Sequence, residues 1–108
     1  MKLQSQINEN IRAQLVDHIV QVHAKFKLLP ETLFLTINLI DRFLAKHQIQ
    51  AGDMRLLGIS AMLIATKYEE IYPPTVKDFI IISQRKLSAE HILQMEMLIL
   101  STIQFEVQ

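Results

Sequence analysis

Between Met62 and Pro74 the chain reads Met-Leu-Ile-Ala-Thr-Lys-Tyr-Glu-Glu-Ile-Tyr-Pro-Pro, so an almost wholly apolar stretch acquires Lys67, Glu69 and Glu70 and then meets two prolines. A helix that is apolar on every side is stable only inside a core. The part upstream of Lys67 must therefore be surrounded by other elements. The charges require its last turn to emerge at a surface. Pro73 and Pro74 stop it there, because proline lacks an N–H and disfavours the helical conformation in the residue before it. A chain carrying this segment has to supply enough amphipathic neighbours to bury it, and the emergent end becomes a platform for binding.

The remaining sequence supplies those neighbours. Ile11, Leu15, Ile19, Val22 and Phe26 recur at helical spacing and predict a helix over about 10–26, with Asn8 or Asn10 as its cap. Pro30 followed by Glu31 suits the first turn of a second helix running to about Lys46. Ala51-Gly52-Asp53 forms the turn before the central helix, which spans about 53–70. Thr75 and Asp78 have the spacing of a capping box for a short fourth helix, although the β-branched run Ile80-Ile81-Ile82 leaves a strand as a rival. Ser88 caps a fifth helix with Ile92, Leu93, Met95, Leu98, Ile99 and Ile103 on a broad apolar face. Five helices joined by short loops make an all-α domain, with a polar tail at 1–9 and a single unit over 10–108.

Half of the 108 residues are apolar, enough for one real core. Eleven basic and eleven acidic residues cancel and are scattered, which argues against a surface that tracks nucleic acid. The absence of cysteine excludes disulfides and thiolate metal sites and fits an intracellular protein, nuclear or cytoplasmic. The apolar stretch near 54–66, broken by Arg55, Ser60 and Thr66, falls short of the roughly 20 residues that span a bilayer, so no membrane partner is expected. No Glu has a His three residues on, and His18, His23, His47 and His91 are not spaced to stack on one helical turn, so neither metal nor cofactor is expected. Each of the four reads as a surface or satisfied histidine. Glu69 and Glu70 diverge by about 100° on a helix and read as a solvated end, not as an acid/base pair. Gly52 and Gly58 form no phosphate loop, and nothing in the sequence points to an enzyme.

The run from Met62 to Pro74 resembles the corresponding segment of the cyclin box of A/B-type cyclins, and the likeness extends from about Ile11 to Val107. The family's internal Arg–Asp pair falls at Arg12 and Asp41, its Leu at Leu56, and its kinase-facing Lys and Glu at Lys67 and Glu96. Arg12 and Asp41 sit in otherwise apolar repeats, where an unpaired buried charge is costly and pairing across the first two helices removes the cost. The family's apolar contacts for the kinase C helix map onto Ile64, Tyr68, Leu100 and Val107, with Ile71 and Tyr72 extending them. The resemblance thus implies a five-helix cyclin box that binds and allosterically activates a cyclin-dependent kinase. The alternative is a cyclin-fold scaffold or transcription adaptor that activates no kinase.

Two departures qualify that implication. The family's docking patch for Arg-x-Leu segments reads here Ile11, Gln14, Leu15, His18, Gln21, Met54 and Arg55. The aromatic floor is gone, the acid is neutral and Arg55 adds repulsion, so such docking is expected to be weak or lost. His18 is expected to be exposed and without a role. The chain also ends where the first of the family's two boxes would end, so the second box is expected to be absent, and exposed apolar surface would then favour self-association. Arg12-Ala-Gln-Leu15 has the form of a degradation signal but lies inside the first helix.

Overall fold

The computed structural model describes the backbone of residues 9–84 and 86–107 and the side chains of residues 10–84 and 86–103. Five α-helices follow in order: α1 Glu9–Phe26, α2 Pro30–Lys46, α3 Met54–Glu69 after a 3-10 turn at Ala51–Asp53, α4 Val76–Ile82 and α5 Ala89–Val107. Among the described residues there is no strand. Of the expected N-terminal tail only Glu9 is described, and it already belongs to α1.

Helix α3 is the strut on which the others lie. Every residue from Leu57 to Thr66 is buried, and α1, α2, α4 and α5 all pack against it. The two hydroxyls on it that enter the core are satisfied: Ser60 Oγ donates to the Ile92 carbonyl at 3.3 Å and Thr66 Oγ1 to that of Leu63 at 2.8 Å. Gly58 lets α1 approach closely, since a Cβ there would lie 2.8 Å from Leu15 Cδ1 and 3.4 Å from Ile19 Cδ1 and Cγ1.

The caps expected at Thr75–Asp78 and Ser88 are formed, whereas Asn10 lies inside α1 and so does not cap it, and Asn8 lies outside the described residues. Helix α1 ends with the Leu28 N–H bonded to the His23 carbonyl at 3.2 Å and the Lys27 N–H to that of Ala24 at 3.1 Å, with Lys27 at φ 54° in the left-handed region. At α4 the capping box is complete: the Asp78 N–H donates to Thr75 Oγ1 at 3.2 Å, and the Thr75 N–H donates to Asp78 Oδ2 at 2.9 Å. That local bonding selects helix over the strand that Ile80-Ile81-Ile82 also suits. Phe79, fully buried at the centre of α4, meets Phe26 edge to face with centroids 5.1 Å apart and so ties α4 to the end of α1. Ser88 Oγ accepts from the His91 N–H at 3.1 Å and starts α5.

The buried face of α5 is narrower than the sequence pattern predicts. Ile92, Ile99 and Ile103 are buried and Met95 partly so, but Leu93 and Leu98 are 43% and 37% exposed. Although α5 packs on α3, α2 and α4, a helix that carries apolar residues on most of its circumference still leaves some of them facing water.

Gly58→Val puts two methyl groups where even a Cβ is crowded by Leu15 and Ile19. Urea unfolding is expected to show a loss of about 1–3 kcal/mol, with the far-UV helical signal retained.

Candidate functional site

The last turn of α3 and the middle of α5 place a cation and an anion together. Lys67 Nζ donates to Glu96 Oε2 at 2.6 Å. The Glu96 side chain is 10% exposed and that of Lys67 51%. The carboxylate is thus enclosed, while the ammonium retains a face toward solvent and has donors to spare.

Apolar side chains crowd the surface on both helices. Just after Lys67, Tyr68 is 74% exposed, and in the segment leaving α3 Ile71 and Tyr72 are 86% and 92% exposed. On α5, Leu93, Met97 and Leu100 are spaced four and three residues apart, hence on one side of the helix, and all three are exposed. Met97 was not singled out from the sequence, and Leu93 was placed on the apolar face of the fifth helix without being assigned to this site. Their signal was there, because a helix apolar nearly all round must bury more than one face. Leu56 is partly buried against the core. Ile64 is 2% exposed and belongs wholly to the core, so it backs the site from within. The side chain of Val107 lies outside the described residues.

Glu70 holds this surface in place. It does not behave as the solvated end that its position suggested. Its Oε2 accepts from the Leu29 N–H at 2.7 Å and from Thr32 Oγ1 at 2.5 Å. Leu29 is the N-cap of α2 and has no capping side chain. The carboxylate of Glu70 therefore caps α2 from across the molecule, satisfying an orphan donor at the positive end of the helix dipole. His23 completes the cluster with its Nε2 2.8 Å from the Leu29 carbonyl. Residues 71–74 leave α3 from this fixed point.

Arg12 Nη2 and Asp41 Oδ1 meet at 2.5 Å across α1 and α2, but their side chains are 42% and 49% exposed. The pairing is as expected and the burial is not. Solvent screening reduces it to a surface contact worth about 0.2–1 kcal/mol.

Six of the seven positions of the altered docking patch come together. Ile11, Gln14, Leu15, His18, Met54 and Arg55, joined by Ala51, line a recess of about 140 Å³ between α1 and the start of α3. Gln21 is exposed one turn along α1 and is not part of the lining. His18 is not the exposed histidine that was expected. It is partly buried, and its Nε2 is closed off without a hydrogen-bond partner. Burial, and after it the charges of Arg55 and Lys25, push its pKa below the ordinary imidazole value. Among the described residues no group of His, Asp and Glu side chains is arranged to hold a metal ion. Among the described residues no helix is long and apolar enough to cross a membrane.

With this geometry in place, comparison with known proteins is informative. The family described as "Cyclin, N-terminal domain" matches residues 1–108. The chain is 54% identical to G2/mitotic-specific cyclin S13-6 of Glycine max over 102 residues, which cover 94% of this chain and 22% of that protein. It is 50% identical to Cyclin-B2-1 of Oryza sativa subsp. japonica, covering 97% and 25%. It is 48% identical to G2/mitotic-specific cyclin-B of Arbacia punctulata, covering 95% and 25%. The chain thus spans about a quarter of the length of these relatives. In three dimensions it resembles a viral cyclin from herpesvirus saimiri with a TM-score of 0.92 at 20% identity, covering 99% of this chain and 47% of that one, which is a likeness of fold.

Two outcomes follow from the geometry. Glu70→Ala is expected to cost about 1–2 kcal/mol and Thr32→Val about 1 kcal/mol. In urea titrations the double variant should fall at least about 0.5 kcal/mol short of their sum, because the two share one bond. For His18 the folded pKa lies below the unfolded one, so the unfolded state takes up the proton first and stability falls as pH drops through the ordinary imidazole range. Above that range the residue contributes nothing to the pH dependence. Melting curves between about pH 8 and about pH 5 should therefore fall less steeply for His18→Gln than for the parent chain.

Proposed function

Since the chain belongs to the cyclin N-terminal domain family, we propose that it is the kinase-binding box of a regulatory subunit that docks on the small lobe of a cyclin-dependent kinase and activates it allosterically. One observation carries this reading: the Lys67–Glu96 pair, linked at 2.6 Å, joins two helices that also expose Tyr68, Leu93, Met97 and Leu100, with Ile71 and Tyr72 exposed just beyond α3. A polar pair inside an apolar rim has the make-up of an interface centre, in which large side chains supply affinity and charges fix register. A monomer gains nothing by exposing so much apolar surface.

The proposed mechanism is displacement. The box receives the kinase's C helix on the platform formed by the end of α3 and the outer face of α5 and pushes it inward. This aligns the kinase's Lys–Glu pair and frees its activation loop. Moving a kinase from about 1% to about 99% active requires a preference for the active form of about 5.5 kcal/mol. A few anchors of ~2 kcal/mol each are sufficient for that. The chain's own contribution is a platform that does not yield, because α3 is clamped on all sides and Glu70 pins its exit. The names of the relatives contain the words G2/mitotic-specific, and we extend that stage of the cell cycle to this chain.

Calorimetry against a cyclin-dependent kinase is expected to show a loss of about 2 kcal/mol or more for Lys67→Ala and for Glu96→Ala, since each leaves a desolvated charge without its partner. Unchanged affinity in both variants defeats the proposal. A histone-kinase assay with and without the chain separates activation from mere attachment: binding without gain in activity favours the scaffold or adaptor reading.

A further inference from the structure

Tyr72 is 92% exposed, more than any other large apolar residue among those described, and the platform uses only its ring. Its hydroxyl has no hydrogen-bond partner among the described residues. Three features of its setting point to a use for that hydroxyl. The backbone around it is open: residues 71–74 belong to no helix, and Glu70 before them and Thr75 after them are extended, with ψ 141° and 169°. Among the described residues no hydrogen bond holds Ile71, Tyr72, Pro73 or Pro74 to the rest of the chain, and Pro73 disfavours helical backbone at Tyr72 itself. Such a segment enters a cleft as a strand without breaking any bond of the fold. Next, the residues ahead of the tyrosine are Glu69, Glu70 and Ile71, so carboxylates stand three and two positions before it and an aliphatic side chain directly before it. Protein tyrosine kinases read that charge pattern with basic side chains beside their clefts. Finally, the chain has one other tyrosine. Tyr68 is 74% exposed, but it lies in the last turn of α3 and directly follows Lys67, so both its backbone and its charge context are wrong for such a cleft.

We propose that Tyr72 is a phosphorylation site for a tyrosine kinase, distinct from the kinase that the platform holds, and that the phosphate ends docking on the platform. The effect on docking rests on the kinase reading of the platform; the modification itself does not. In the transfer the phenolic Oη attacks the γ-phosphorus of ATP. The Oη–P bond forms as the bond from that phosphorus to the bridging oxygen breaks, ADP leaves, and the phenolic proton passes to the enzyme's carboxylate base. The product carries about −1.5 to −2 charges where a neutral ring stood. Glu69 and Glu70 are three and two residues away, so like charges accumulate at the exit of α3, and an apolar surface gains a group that has to stay hydrated. No part of the fold leans on a side chain this exposed, so the phosphate acts on association and leaves stability unaltered.

The test incubates the folded chain with ATP, magnesium and the catalytic domain of a tyrosine kinase that prefers acidic residues ahead of its target, and maps the product by mass spectrometry. Phosphate is expected at Tyr72 at least about tenfold faster than at Tyr68. Tyr72→Phe should take up almost none. Glu69→Lys, whose charge suits the last turn of a helix and so preserves the fold, should slow the reaction at Tyr72 at least about tenfold. Phosphate at Tyr68 in preference, or an unchanged rate in Glu69→Lys, overturns the site. Calorimetry of the phosphorylated chain against a cyclin-dependent kinase should then show affinity lower by at least about tenfold, restored by a tyrosine phosphatase, with the melting temperature unaltered. Equal affinity before and after modification overturns the effect on docking, and so does a melting temperature that falls with the phosphate. If the unmodified chain does not bind the kinase, the platform reading falls and the effect on docking with it, while the mapped site stands.

Discussion

Ten consecutive residues of α3, from Leu57 to Thr66, have no access to water, and a helix in that state exists only while its neighbours stay in place. Each of the other four helices contributes an apolar face to it. For α1, α2 and α5 it is the most extensive packing surface, while α4 leans on α5 as well. The hydrophobic gain is therefore shared, and the closeness it requires is visible at Gly58, where α1 comes within reach of the α3 backbone. Where α3 leaves this enclosure, its polar groups have to be met by side chains from other elements.

Two carboxylates, one from α5 and one from the end of α3 itself, meet that demand. Glu96 brings an enclosed carboxylate from α5 to Lys67. Glu70 turns back to cap α2. Both contacts join residues far apart in sequence and tie the end of α3 to α5 and α2. Rigidity here follows from burial: an enclosed carboxylate without its donor is costly, so the end of α3 has one favourable position. Arg12 and Asp41, equally close to each other but half in solvent, exert no such constraint.

The helices were legible in the sequence because their signals are local. Pro30, the Thr75–Asp78 capping box and Ser88 act within one turn, and the run from Met62 to Pro74 states both its burial and its stop. The Lys67–Glu96 contact and the recess residues were legible only through family resemblance, since no spacing rule connects residues 29 positions apart. Glu70 escaped because its partners, Leu29 and Thr32, are 41 and 38 positions away and an acid beside another acid at a helix end looks solvated. Ile64, Leu93 and Leu98 were assigned to the wrong side of the boundary between core and surface for a different reason. Periodicity gives the face of a helix, but the angle at which helices cross decides how wide a face is covered.

The recess and the platform stand at opposite ends of one strut of 16 residues, some 24 Å apart at about 1.5 Å per residue. Leu15 lines the recess and also lies against Gly58, so the recess and the packing between α1 and α3 share a residue. Coupling between the two ends would need an element with two stable arrangements, and a helix buried over ten residues and pinned at its exit offers one. A change at the recess is therefore expected to leave the platform where it is.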